Sequence, residues 1–139
     1  MFLGMSSHTI DSKGRIVLPA KFREELGDTF YIAQGFNQKC VQVMSSDEYE
    51  RISANISELP AQQAMALQYI FTVTAETVSP NAQGRIVIPQ ALREKAGLEN
   101  EALVLGMNKR IEIWSRAKYD EFIVSQQEIA AQALLNLKL

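Results

Sequence analysis

The stretch DSKGRIVLPAKFREELG, Asp11 to Gly27, returns as NAQGRIVIPQALREKAG, Asn81 to Gly97, and nothing constrains the fold of this chain more. Gly, Arg, Ile, Val, Pro, Arg, Glu and Gly recur in register at an offset of 70 residues. The same offset pairs Val41 with Ile111, Val43 with Ile113, Met44 with Trp114 and Tyr49 with Tyr119, so a whole supersecondary unit is duplicated. Two copies suit a pseudo-twofold body; a solenoid would want three or more.

Each unit reads alike. An extended segment, Met5–Ile10 or Thr72–Ser79, leads into a tight turn and then into RIVLP or RIVIP, rich in β-branched residues. Pro19 and Pro89 end that strand and open a short helix, which Gly27 and Gly97 close. Phe22 and Leu26, like Leu92 and Ala96, fall at i and i+4 and face inward, leaving Lys21 and Arg23 to point elsewhere. Two strands follow, TFYIAQ and CVQVMS in the first unit, ALVLG and RIEIWS in the second. Ile111 and Ile113 alternate with Glu112, the pattern of a strand with one wet face. A helix then starts at Ser46 or Ser115, and in the first unit Tyr49, Ile52, Ile56 and Leu59 line one side of it.

The expected organisation is a first repeat over 5–47, a helical connector over 48–74, a second repeat over 75–118 and a C-terminal helix over 119–139. The connector should hold one helical turn or two after Pro60, with Ala64, Leu67 and Phe71 on one side. The fold class is mainly β with short helices. The apolar C-terminal helix, with Phe122, Ile129, Ala133, Leu134 and Leu137, invites burial against a neighbouring molecule or its own chain.

Composition narrows the function. With 139 residues, 47% apolar and 22% charged, the chain can bury one ordinary core or two small ones sharing a seam. No run approaches the roughly 20 apolar residues that span a bilayer, and MFLGMSSHTI lacks the marks of a secretory signal, so a cytoplasmic protein is expected. Cys40 is the only cysteine, which excludes an internal disulfide and a cysteine zinc cluster and suits a small apolar residue starting a strand. The net charge of −2 hides an asymmetry. Residues 11–25 carry Lys13, Arg15, Lys21 and Arg23 against Asp11, Glu24 and Glu25; residues 81–95 carry Arg85, Arg93 and Lys95 against Glu94 alone. Positive charge is gathered in the repeat while the rest is acidic, as expected if the repeats face an anion.

The repeated turn is where chemistry concentrates. DSKGR fits a type I turn in which Asp11 accepts backbone hydrogen bonds and Gly14 tolerates the conformation that follows; Asn81 and Gly84 support the same geometry in NAQGR. On a purely structural reading, Arg15 and Arg85 merely pair with acids such as Asp11. Against that reading, Asn81 lacks the charge an acid–arginine pair needs, yet Arg85 is present. A guanidinium beside a tight turn offers a rigid fork to phosphate and to the acceptor edge of guanine, and Lys13 and Gln83 can supplement it.

MFLG, His8, DSKGRIVLPAKFR, the second GRIVIP motif and GMNKRIEIW followed by YDEF together resemble the MraZ transcriptional regulators, relatives of AbrB-type DNA-binding proteins, over nearly the whole chain. The resemblance implies two AbrB-like swapped-hairpin units forming one β-barrel per chain. It implies a homo-oligomer closed into a ring, nucleoid-associated, that binds double-stranded DNA at direct repeats in the promoter of the bacterial division and cell-wall gene cluster. The sequence carries neither a phosphate loop nor a metal cluster, and no cofactor is expected. The family motif Asp-x-x-x-Arg is met by Asp11 and Arg15, whereas Asn81 departs from it before Arg85. Lys13, Arg15, Gln83 and Arg85 are therefore the expected DNA-binding residues, and Asp11, Gly14, Asn81 and Gly84 the residues that shape the turns.

Two other classes bear on the same residues. AbrB-like folds also serve as antitoxins that bind a protein partner, but such chains tend to carry a disordered, often acidic tail, and here the C-terminus reads as an apolar helix. An enzyme finds little support: His8 is the sole histidine, and Ser6, Ser7 and Asp11 crowd one strand and its turn, where alternate residues point to opposite faces.

Overall fold

A computed structural model describes residues 1–139. In chain order the elements are β1 (Met5–Thr9), β2 (Arg15–Val17), α1 (Ala20–Leu26), β3 (Phe30–Gln34), β4 (Val41–Ser45), α2 (Ser46–Ser57) and α3 (Ala61–Phe71), then β5 (Glu76–Val78), β6 (Arg85–Val87), α4 (Gln90–Ala96), β7 (Glu101–Met107), β8 (Arg110–Trp114) and α5 (Arg116–Leu134). Every strand pairing is antiparallel, and the class is α+β.

Six strands form one sheet in the order β1-β7-β8-β4-β3-β5, and β2 pairs with β6 in a separate ribbon. Each unit lends its first strand to the other: β1 lies on β7, and β5 lies on β3. The two central pairings are between equivalents, Gln42 with Glu112 in the sheet and Ile16 with Ile86 in the ribbon. A pseudo-twofold axis therefore runs through both. The hydrogen-bonded ladder does not close into the single barrel expected from the sequence. β2 and β6 are three residues each and stop at Leu18-Pro19 and Ile88-Pro89, where proline has no N–H to extend a ladder.

The main core lies between sheet and ribbon. Ile16, Leu18, Ile86 and Ile88 meet Ile32, Val41, Val43, Val104, Ile111 and Ile113, with Phe22 and Leu92 closing the sides from α1 and α4. Helices cover the opposite face of the sheet. Met44, Ile56, Ala64 and Phe71 pack under α2 and α3, while Trp114, Leu103 and Cys40 pack with Tyr119 and Phe122 of α5. Cys40 is buried just before β4, and loss of water pushes its thiol pKa well up.

Several sequence expectations change here. Glu112 does not face water: α5 covers that side of β8, and its carboxylate accepts from Arg110 Nε and Nη2 at 3.1 and 2.9 Å and from Trp114 Nε1 at 2.9 Å. α2 is capped by Ser45, not Ser46, because the Ser45 hydroxyl reaches the Glu48 N–H at 3.2 Å, and Leu59 lies beyond its end. The connector helix is longer than two turns, because Ala64 and Phe71, seven residues apart, are both buried on the side it packs. β5 is shorter than Thr72–Ser79, since α3 and the turn after it consume Thr72 to Thr74. No side chain of α5 is buried, and the helix ends at Leu134 before Leu137. No helix is long and apolar enough to cross a membrane.

Candidate nucleic-acid interface

Side-chain alternation divides the ribbon into two faces. Ile16 and Ile86 point into the core, so Arg15, Val17, Arg85 and Val87 point outward. Val17 and Val87 are 39% and 52% exposed.

The two turns that open these strands share one backbone design. Gly14 N–H donates to the Asp11 carbonyl at 3.0 Å, and Gly84 N–H donates to the Asn81 carbonyl at 2.9 Å. Asp11 Oδ1 accepts from the N–H groups of Lys13 and Arg15 at 2.9 Å each; Asn81 Oδ1 accepts from those of Gln83 and Arg85 at 3.0 and 2.9 Å. The first side-chain oxygen is thus the turn former in both, and asparagine supplies it as well as aspartate does. Both glycines have φ of +77°, a backbone conformation that side chains disfavour.

The second oxygen separates the turns. Asp11 Oδ2 accepts from Arg15 Nε at 2.7 Å and also lies 3.7 Å from Arg85 Nη1, so one carboxylate faces the arginines of both repeats. Asn81 has no counterpart to that oxygen. Arg85 Nε is consequently buried with no hydrogen-bond partner, and its Nη2 reaches only Gln83 Oε1, at the long distance of 3.5 Å. The Asp11 carboxyl is held below the usual carboxylate range, first by the Arg15 N–H, then by the Arg15 side chain and the Lys13 N–H, against the opposing loss of water. It stays ionised.

All the site residues expected from the sequence come together on this face: Lys13 and Gln83 at the exposed tips, Arg15 and Arg85 half-buried beside Asp11, and Gly14 and Gly84 beneath. Arg23 and Arg93 were not expected there. The guanidinium of Arg93 lies over Gly14 and that of Arg23 over Gly84, each crossing to the turn of the other repeat. Their recurrence at the 70-residue offset was the available signal, and helical periodicity alone did not say where they reached.

Ser6 and His8 also meet, with Ser6 Oγ 2.7 Å from His8 Nε2, but Ser7 bonds Arg116 instead and the Asp11 oxygens are committed to the turn. A cleft of about 520 Å³ opens elsewhere, lined by Met1, Phe2, Glu25, Glu48, Arg51 and Lys109 among others, none of them a turn residue.

Comparison with known proteins agrees with this reading of the repeat. The family described as "MraZ protein, putative antitoxin-like" matches residues 1–68 and again 71–136, one match per repeat. A protein of Caldanaerobacter subterraneus named "Transcriptional regulator MraZ" is 41% identical over 136 residues, 94% of each chain. Those of the same name from Paenarthrobacter aurescens and Clavibacter michiganensis are 44% identical over 125 residues, covering 88% of this chain and 87% of theirs, and 38% identical over 133, covering 94% and 92%. With both of its repeats matched and the near-full length of its relatives spanned, the chain belongs to the MraZ family.

Proposed function

We propose that the protein is a sequence-specific DNA-binding transcriptional regulator whose contact surface is the outer face of the β2–β6 ribbon and its two turns. One observation carries the reading. A two-stranded ribbon presents Arg15, Arg85, Val17 and Val87 outward, with Asp11 as the one carboxylate held against its two arginines. The major groove admits a two-stranded ribbon of this kind; arginine forks read guanine, and an apolar side chain contacts the thymine methyl. The relatives' names, all transcriptional regulators, support the same class.

The finer reading follows the family resemblance. The target is the repeated promoter element of the division and cell-wall gene cluster, bound by a ring-shaped homo-oligomer at the nucleoid, and the exchange of β1 and β5 between units supports two AbrB-like swapped-hairpin repeats. A ring that presents many copies of one small ribbon to spaced repeats gains through effective concentration. A gel-shift titration of the protein's own upstream region, with light scattering to follow assembly size, tests the proposal. Arg15→Ala and Arg85→Ala should each keep the assembly and lose specific binding. If both keep wild-type affinity, the ribbon is not the contact surface; if one stoichiometric protein co-purifies from the native host without promoter DNA, the antitoxin-like reading replaces this one.

A further inference from the structure

Arg23 on α1 and Arg93 on α4 sit outside the Asp-x-x-x-Arg turns, yet both are fixed against them. Arg23 Nε donates to the Leu18 carbonyl at 3.1 Å and Arg93 Nε to the Ile88 carbonyl at 2.9 Å, so each side chain is tied back to the end of its own ribbon strand. Each guanidinium then lies over the turn glycine of the other repeat. A Cβ on Gly84 would stand 2.5 Å from Arg23 Cζ, and one on Gly14 would stand 2.5 Å from Arg93 Cζ. The glycines suit their φ of +77°, and the guanidiniums fill the space that a Cβ would enter.

Neither guanidinium has a carboxylate partner. The ion pairs of the chain involve the amino terminus, Arg15, Arg51, Arg85 and Arg110, and the terminal nitrogens of Arg23 and Arg93 donate to nothing in the protein. Those nitrogens are not buried, so they stand open to an incoming anion. The sheet and its helices supply none.

We propose that Arg23 and Arg93 form a second pair of DNA contacts, clamping backbone phosphates on either side of the bases met by the ribbon. The proposal rests on the DNA-binding reading above and extends it. Phosphate, not a base edge, is the ligand because Arg23 and Arg93 stand off the ribbon, on α1 and α4: each fork is held at the flank of a turn and presents its terminal nitrogens to whatever anion lies beside the groove. Such contacts fix register without reading sequence. Each links the helix of one repeat to the turn of the other, so both clamps are set by the pairing that forms the ribbon.

The test measures affinity against salt for matched promoter DNA and for a scrambled duplex of equal length, using the full-length protein. Arg23→Gln and Arg93→Gln remove the charge; Arg23→Lys and Arg93→Lys retain it. Each glutamine variant should lower the slope of log affinity against log salt by about 0.9 for every phosphate it no longer neutralises, equally on both DNAs. The lysine variants should keep the wild-type slope, and Arg15→Ala should instead collapse the preference for matched over scrambled DNA. Folded glutamine variants with an unchanged slope overturn the proposal, as does an equal fall in the lysine and glutamine variants, which would mark a strut. Should glutamine prevent folding, Arg23→Met and Arg93→Met keep the stem packing without the charge; failure of these to fold as well assigns the arginines to the fold and overturns the proposal. Wild-type protein that binds neither DNA sinks the regulator reading itself, an outcome distinct from a variant that binds with the wild-type slope.

Discussion

The second carboxylate oxygen of Asp11 has no counterpart in Asn81, and the pairing of both arginines turns on it. Asp11 supplies one oxygen to the backbone and a second to Arg15 and Arg85; Asn81 supplies only the first. Arg85 is left with a buried, unpartnered Nε, and a donor in that state costs on the order of 1 kcal/mol or more. Asn81→Asp should therefore raise the denaturation midpoint while weakening DNA binding, because the new carboxylate satisfies Arg85 and competes for it. A variant that is no more stable than wild type would show that Arg85 finds its partner by other means. Asp11→Asn makes the opposite change: the turn bonds through Oδ1 survive, Arg15 Nε loses its acceptor, and scrambled DNA should bind more tightly as the local negative charge disappears. The pH dependence follows from the sign of the Asp11 shift. Its folded pKa is depressed, so the stabilisation is complete above the unfolded carboxylate value of about 4 and fades as pH falls through the lower folded value. Acid titration of the melting temperature should accordingly show a loss below about pH 4 that is smaller in Asp11→Asn.

At the level of elements, the ribbon is held from beneath and open above, and its two faces are made by alternate residues. Ile16 and Ile86 are fully buried on the pseudo-twofold axis, whereas Val17 is open to solvent. Ile16→Ala should cost about 2–5 kcal/mol in denaturant unfolding. Val17→Thr should stay within about 0.5 kcal/mol of wild type and change only the discrimination among DNA sequences. Equal destabilisation by both would mean that the outer face is also packed. This much was legible in the chain: the repeat, the short strands ended by Pro19 and Pro89, the inward residues Phe22, Leu26, Leu92 and Ala96, and the turn residues from Asp11 to Arg15. Periodicity could not say which strands pair across repeats, because exchanging β1 and β5 between units leaves every local pattern unchanged. The reach of Arg23 and Arg93 was hidden for the same reason, since each meets a glycine 61 or 79 positions away. Glu112 misled because a buried charge satisfied by Arg110 and Trp114 has the same alternation as a solvated one.

For the whole molecule, the open matter of packing is the far half of α5. Its start is anchored: Tyr119 and Phe122 stand 5.7 and 4.9 Å from Trp114, centroid to centroid, and Ser115 caps the helix by accepting from the Lys118 N–H at 3.1 Å. Beyond Ile123 the large apolar side chains find no cover, with Val124 65%, Ile129 59%, Leu134 60% and Leu135 81% exposed. Apolar surface gathered at one end of a small domain is stabilised by removal from water, at roughly 25 cal/mol for each Å² covered. Nothing in the rest of the chain covers it, so a second copy is the natural partner under the ring proposal. A chain ending at Ser125 would keep the Trp114 contacts and shed the exposed segment. Its melting temperature should change little if measured where the full-length protein is also monomeric, while its mass by light scattering should fall at concentrations where the full-length protein assembles. Affinity for a single DNA repeat should then be nearly unchanged and affinity for an array should drop by about 10²- to 10⁴-fold, because only the linked ribbons lose their effective concentration. An unchanged mass would place the assembly contacts elsewhere; an equal loss on single and arrayed repeats would mean that the α5 segment supports the ribbon itself.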